Sequence, residues 1–278
     1  MFDTHCHLNF QAFDGRVDEI VDNAREAGVT HIVVPGTDLP TSQKAVTVAK
    51  SHKQVYAAVG IHPHHVFESQ QKGEEADKND IVEIEELLKE PCVVAVGEVG
   101  LDRHYYTKTR HENYNITEEF VKAQCTIFAD HMKLALKHKK SLIIHHREAK
   151  EDILRVLAEV WDASLARKSV IHCCEPDRDL LRFAQKNNLF IGVDGDVTYD
   201  RKKQEFIKEV PIEMLVLETD APFLIPEPYR SMPRDTRGPN VPAHLPLIAQ
   251  RVAQLKGYDV DEVKKITFEN GIELFQLR

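Results

Sequence analysis

The sequence predicts an α/β protein built as a single (β/α)8 TIM barrel. Short apolar runs alternate with helical patterns along the 278 residues, and eight such units fit a chain of this length. Each apolar run is soon followed by a His, Asp or Glu. This is expected at the carboxyl ends of barrel strands, where the loops carry active-site residues. A doubly wound parallel sheet is the alternative architecture, and the predicted single domain spans 1–278.

The eight strands are predicted from short runs rich in Val, Ile and Leu, which suit buried parallel strands. They lie at 1–3, 32–34, 55–59, 93–96, 142–144, 170–171, 189–193 and 214–217. Helices are predicted at 18–27, from 40 onward, and at 81–88, 118–136, 152–160 and 178–185. Gly28 is a typical residue after the end of a helix, and Pro40 is typical of a helix start.

The composition indicates a globular protein without a membrane span. Hydrophobic residues make up 42% and charged residues 29%, and no run of about 18 apolar residues is present. The first residues lack a signal-peptide pattern, and five irregularly spaced cysteines suggest reduced thiols. We therefore expect a cytoplasmic protein, and no obligate protein partner is evident. The net charge of −9 disfavours a broad cationic surface but allows one local cationic site.

Six polar residues near the predicted strand ends are candidate metal ligands: His5, His7, Glu98, His145, His172 and Asp220. Side chains at i and i+2 of an extended segment face the same side, so His5 and His7 can bind one metal. Glu98 follows a buried strand, where a carboxylate is costly unless it is paired or bound to a metal. A single catalytic zinc normally keeps three protein ligands. Six ligands therefore predict two divalent cations that share Glu98 and a hydroxide.

Further residues are candidates for catalysis and for substrate binding. Asp220 would orient the attacking water and accept its proton, whereas Glu218 would support the ligands. His62 and His64 lie in one predicted loop and could hydrogen-bond a phosphate or protonate a leaving group. Arg147 could bind a phosphate bidentately, or it could be a surface arginine at a helix start. The candidate catalytic residues are Asp220, Glu98 and His62, and the candidate substrate-binding residues are His62, His64 and Arg147.

Two loops combine arginines with tyrosines, at 103–114 and 229–237. They could hold a single-stranded nucleic acid through phosphate pairing and base stacking. They could equally be ordinary solvated loops, and the sequence leaves both interpretations open.

The segments that carry these residues resemble the TatD family of metal-dependent deoxyribonucleases, within the amidohydrolase-like TIM barrels. The matching blocks are 3–8, 60–64, 96–102, 218–224 and 269–275. The resemblance implies hydrolysis of DNA phosphodiester bonds, commonly as a 3′-to-5′ exonuclease, at single-stranded or frayed ends. It also implies the same six ligands, phosphate contacts from His62 and His64, and activity with Mg²⁺ or Mn²⁺. By ligand type alone, four imidazoles favour zinc, manganese or iron over magnesium.

Three positions depart from the family pattern. His146 stands where the family often has Ser, Cys173-Cys174-Glu175-Pro176 stands for a usual Cys-Phe-Ser-Gly-like run, and Val241 stands where a Glu commonly precedes the Pro-Ala pair. Two other functions remain as alternatives. One is an ester or amide hydrolase of the amidohydrolase-like type, such as an aminoacyl-tRNA deacylase. The other is a barrel that binds a metabolite or a partner without catalysis.

Overall fold

Eight parallel strands form one sheet, with each strand paired to the next in sequence order. The computed structural model describes residues 1–72, 74–109, 111 and 113–277. The strands are β1 (Phe2–Asp3), β2 (His31–Pro35), β3 (Val55–Val59), β4 (Val93–Asp102), β5 (Ser141–Arg147), β6 (Ser169–Ile171), β7 (Phe190–Val193) and β8 (Leu215–Leu217). A hydrogen bond from Thr4 N to Leu217 O (3.0 Å) and a bridge between Cys6 and Ala221 join the last strand to the first. The (β/α)8 barrel is therefore confirmed, and the doubly wound alternative is wrong.

Helices connect the strands and cover the outside of the barrel. They are α1 (Val17–Glu26), α2 (Leu39–Ser51), α3 (Pro63–Lys72), α4 (Glu74–Leu87), α5 (Glu118–His138), α6 (Lys150–Val160), α7 (Arg178–Asn187), α8 (Arg201–Glu209), α9 (Leu245–Lys256) and α10 (Val260–Leu274). The sequence patterns do not predict α3, α8, α9 and α10. His64, expected in a loop, lies in the first turn of α3. Among the described residues, no helix has the length and apolar character needed to cross a bilayer.

The barrel interior changes from apolar to polar along the strands. One buried cluster contains an apolar side chain from every strand: Phe2, Val33, Ala58, Val94, Ile143, Val170, Phe190 and Val216. Because side chains alternate along a strand, residues two positions further on face the same interior. His145 thus follows Ile143, and His172 follows Val170. This spacing gathers polar side chains at the carboxyl end of the barrel.

Strand β4 is longer than predicted and contains an irregularity at Glu98. Relative to β5, Val96 pairs with Leu142 but Val99 pairs with Ile144, so β4 has one extra residue between the two pairs. Such a bulge changes the direction of nearby side chains. Gly100 continues the strand with a φ of +152°, and a Cβ there would lie 2.0 Å from the carbonyl oxygen of His145. Glycine is therefore required for β4 and β5 to lie this close.

Candidate metal centre and substrate cavity

A cavity of about 610 Å³ opens at the carboxyl end of the barrel. It is lined by eight of the predicted site residues: His7, His62, His64, Glu98, His145, Arg147, His172 and Asp220. The remaining predicted ligand, His5, is fully buried and contacts His7 and Glu98. The structure therefore brings all six candidate ligands and all three candidate substrate contacts to one place.

Four ligand atoms face one another on one side of the centre. His5 Nε2 lies 3.2 Å from His7 Nε2, 3.3 Å from Glu98 Oε2 and 3.7 Å from Asp220 Oδ1. His7 Nε2 lies 3.6 Å from the same Glu98 oxygen and 3.4 Å from the same Asp220 oxygen. Four ligands bound tetrahedrally at about 2.1 Å are about 3.4 Å apart. The donor types and their spacing therefore fit a divalent cation.

A second donor group faces the other oxygen of Glu98. Glu98 Oε1 lies 2.8 Å from His145 Nδ1, 3.2 Å from His172 Nε2 and 3.6 Å from His62 Nε2. Glu98, His145 and His172 form a group whose ligand atoms could hold one ion. The two oxygens of a single carboxylate are thus directed to two separate sets of imidazoles, which is the arrangement required of a bridging ligand.

Glu98 has imidazoles as its only charge partners among the described residues. Its side chain is buried, and its ion-pair contacts are His5, His7, His62, His145 and His172. Burial raises the pKa of a carboxyl group, but the surrounding imidazoles hold the pKa of Glu98 well below its usual value. A buried carboxylate without a Lys or Arg partner favours a cation at this point.

Glu218 orients one of the candidate ligands, as the sequence suggested. Its Oε1 accepts hydrogen bonds from His172 Nδ1 (3.1 Å) and from the backbone N of Cys173 (2.6 Å). Because Nδ1 of His172 carries the donated proton in this arrangement, Nε2 keeps a free electron pair, and this atom faces Glu98.

Asp102 is a site residue that was not among the predicted ones. It is fully buried at the end of β4, and its Oδ2 lies 3.2 Å from His145 Nε2 and accepts from the Tyr106 hydroxyl at 2.7 Å. Burial raises the pKa of Asp102, but the bonds from His145 and Tyr106 hold it below its ordinary value. Asp102 could have been suspected from the sequence, because it follows Glu98 by four residues in the segment 96–102. Recognising it as a site residue required knowing that β4 extends to Asp102.

The predicted phosphate contacts lie beside the second donor group. The ring of His62 makes an edge contact with that of His145, with centroids 4.2 Å apart, and its Nδ1 accepts from His64 N at 3.1 Å. His64 Nε2 lies 2.9 Å from the Thr109 hydroxyl. Arg147 donates to the Tyr106 hydroxyl at 3.1 Å. These contacts fix the side chains along one wall of the cavity.

Two departures from the family pattern meet in the same cavity. His146 Nδ1 lies 3.3 Å from Glu175 Oε2, and this oxygen accepts a hydrogen bond from Glu148 N at 3.0 Å. Both His146 and Glu175 line the cavity. The Glu175 side chain is 38% exposed there, so it places a negative charge in the wall.

The arginines of the two predicted contact loops lie elsewhere. Arg103 pairs with Glu118 and Asp152, and the Arg230 guanidinium lies 3.9 Å from the ring centre of Tyr199. Of the described residues in these loops, the cavity lining includes Tyr106 but none of the four arginines Arg103, Arg230, Arg234 and Arg237. Arg110 and Glu112 lie outside the described residues.

Two phenylalanines complete the wall beside His7. Phe10 and Phe223 both line the cavity, and neither was among the predicted site residues. Although Phe223 follows Asp220 closely, Phe10 lies more than two hundred positions away, and barrel closure brings the two segments together.

Comparison with known proteins finds a match to one protein family over nearly the whole chain. The sequence profile of a family described as TatD related DNase matches residues 2–276. A protein of Erwinia amylovora named 3′-5′ ssDNA/RNA exonuclease TatD is 35% identical, and the alignment covers 100% of each chain. A Bacillus subtilis protein, named uncharacterized metal-dependent hydrolase YabD, is 32% identical over 100% of this chain and 99% of its own.

The fold comparison agrees with the sequence comparison. The crystal structure of YjjV, a TatD homologue from Escherichia coli, superposes with a TM-score of 0.83 at 25% identity. The match covers 100% of this chain and 98% of the other. Both therefore share the whole barrel.

Proposed function

Because the chain belongs to the TatD-related DNase family and is a metal-dependent hydrolase, we propose that it hydrolyses phosphodiester bonds at the 3′ end of single-stranded DNA or RNA. Its relatives named 3′-5′ ssDNA/RNA exonuclease support this substrate and polarity. The observation that carries the proposal is Glu98, whose two oxygens face separate donor groups in one cavity.

We assign the ligands by the atoms that face each other. His5, His7, Asp220 and Glu98 Oε2 would hold one divalent cation. His145, His172 and Glu98 Oε1 would hold the other. When bound, such cations would neutralise charge on the scissile phosphate and would lower the pKa of a bound water molecule. We propose Mg²⁺ or Mn²⁺ as activating ions, with Zn²⁺ as the alternative that imidazole ligands favour.

The remaining chemistry falls to side chains at the cavity wall. Asp220, whose side chain is 14% exposed, would orient the attacking water and accept its proton. His62 would stabilise or protonate the departing oxygen. His64 and Arg147 would bind phosphate oxygens, since a guanidinium matches the geometry of a phosphate.

The local site also reconciles an acidic protein with an anionic substrate. The chain has a net charge of −9, but two divalent cations would place four positive charges at one point. Substrate capture would then depend on bound metal rather than on the protein surface. The five free cysteines support a reducing compartment, and we assign the protein to the cytoplasm.

A nuclease assay tests the proposal. Single-stranded DNA and RNA labelled at the 5′ end should shorten one nucleotide at a time with Mg²⁺ or Mn²⁺, and a chelator should stop the reaction. Asp220→Asn should abolish turnover, and measuring the metal content of the variant separates loss of the proton acceptor from loss of a metal ligand. Asp22→Asn, at an exposed position on α1 that is 60% accessible, should not change it.

The assay also separates the alternative function. Release of an amino acid from aminoacyl-tRNA, with every phosphodiester bond intact, would favour the ester-hydrolase alternative. Near-normal nuclease turnover by the Asp220→Asn variant would overturn the assigned role of Asp220.

A further inference from the structure

Phe223 is an exposed aromatic side chain beside the candidate metal centre. Of the twelve phenylalanines, all within the described residues, Phe223 alone is more than half exposed, at 51%. The other exposed rings are tyrosines, whose hydroxyl groups can contact water: Tyr105, Tyr229 and Tyr258. The Phe223 ring has no polar atom and lines the cavity, so a ligand that covered it would remove apolar surface from water.

Backbone hydrogen bonds connect Phe223 to the segments that carry two candidate metal ligands. The backbone N of Phe223 donates to the carbonyl oxygen of Asp220 at 2.9 Å, and His7 N donates to Ala221 O at 2.8 Å. The position of the ring is therefore set by the same two segments that carry His7 and Asp220.

A second ring extends this apolar surface. Phe10 stacks on His7 with ring centroids 4.2 Å apart and planes inclined by 16°. Phe223 meets both rings edge-on, at 6.1 Å from Phe10 and 6.2 Å from His7. Leu224 also lines the cavity next to this group. We call Phe10, Phe223 and Leu224 the apolar wall.

Another part of the cavity lining has different chemistry. There His62, Tyr106 and Arg147 present nitrogen and oxygen atoms, which suit phosphate oxygens. A nucleotide has both kinds of surface, since its phosphate is polar and its base has two aromatic faces. Stacking on an aromatic side chain accepts any base, because every base has a π-face.

We propose that the apolar wall is a stacking subsite for one of the two nucleobases flanking the scissile phosphate, with the Phe223 ring as its main contact. This inference rests on the proposed nuclease function and adds a substrate-binding residue to it. It replaces the tyrosines of the two loops as the expected stacking surface.

Kinetic measurements that combine a Phe223 variant with substrates lacking one base test the subsite. Initial rates are measured for wild type and for Phe223→Ala, on a single-stranded DNA with all bases and on matched strands that lack the base on either side of the scissile bond. With all bases present, Phe223→Ala should raise KM by about 5- to 150-fold, the range for loss of one stacked base. On one of the abasic strands, the same variant should change KM little, because the contact is already lost.

Control variants separate stacking from general damage. Phe223→Tyr should keep KM near the wild-type value, and Phe223→Leu should raise it. Tyr258→Ala removes another exposed ring, 40% accessible and outside the cavity lining, and should have no effect. Equal loss by Phe223→Ala on the intact and both abasic strands, or no loss on the intact strand, would overturn the subsite. Absence of cleavage of any strand by the wild-type enzyme would instead overturn the proposed nuclease function.

Discussion

His172 donates from Nδ1 to Glu218 Oε1 over 3.1 Å, and this bond turns its Nε2 toward the centre of the barrel. The bond joins the ends of β6 and β8. It shows how residues that are distant in the sequence determine the direction of a candidate metal ligand. Replacing Glu218 by Gln keeps the size of the side chain but removes the negative charge of the acceptor.

Glu218→Gln should weaken metal binding about 10- to 100-fold, which is typical for loss of a hydrogen-bond partner of a metal ligand. The reason is that His172 would lose its charged acceptor, and with it the preference for one orientation. Metal titration of activity should show the shift, with turnover restored at high metal concentration. An unchanged metal dependence would contradict the orienting role of Glu218.

Arg147→Gln should raise KM for a single-stranded oligonucleotide by about 10- to 100-fold, the effect of losing a charge-assisted hydrogen bond. The variant should also reduce the slope of log KM against log salt concentration by about one. Arg234→Gln is the control, since Arg234 is exposed and outside the cavity lining. If both variants behave alike, Arg147 has no specific phosphate contact.

Glu175→Ser should lower KM for an oligonucleotide by up to about 5-fold at low salt, because a carboxylate in the cavity wall repels phosphate. The gain should shrink as salt screens the charge. Kinetics at several salt concentrations would measure it, with Glu159→Ser on the surface of α6 as the control. A rise in KM would instead mean that Glu175 makes a favourable contact with the substrate.

His131→Gln should make the protein relatively more stable as the pH falls. Burial lowers the pKa of His131 in the folded state, whereas the unfolded state binds a proton near pH 6.5. Below that pH the unfolded chain holds a proton that the native chain does not, so His131 destabilises the fold in acid. Urea unfolding at pH 8 and pH 5 measures this effect. Between these two pH values, the free energy of unfolding should fall less for His131→Gln than for the wild-type protein. Parallel pH dependences would contradict this.

The sequence predicted the barrel and the convergence of the six candidate ligands because both follow from local patterns. Apolar runs identify parallel strands, and alternation along each strand places residues such as His145 and His172 on the inner side. The pairing of His5 with His7 needed only their spacing of two residues.

Features that depend on contacts between distant segments were not predicted. The extra residue in β4 appears only when its register with β5 is known, and it explains why Asp102 was missed. The contact of Phe10 with Phe223 likewise depends on closure of the barrel. Helix α3 was not predicted, because His62 and His64 were assigned to a loop. Pro63 is the first residue of the helix, a position that proline favours.

Anomalous diffraction from crystals soaked in Mn²⁺ tests most directly whether Glu98 binds two divalent cations through its two carboxylate oxygens. We predict two anomalous peaks, one beside Glu98 Oε2 with His5 and His7, and the other beside Glu98 Oε1 with His145 and His172. A single peak, or two peaks that do not share Glu98, would contradict the proposed two-metal centre.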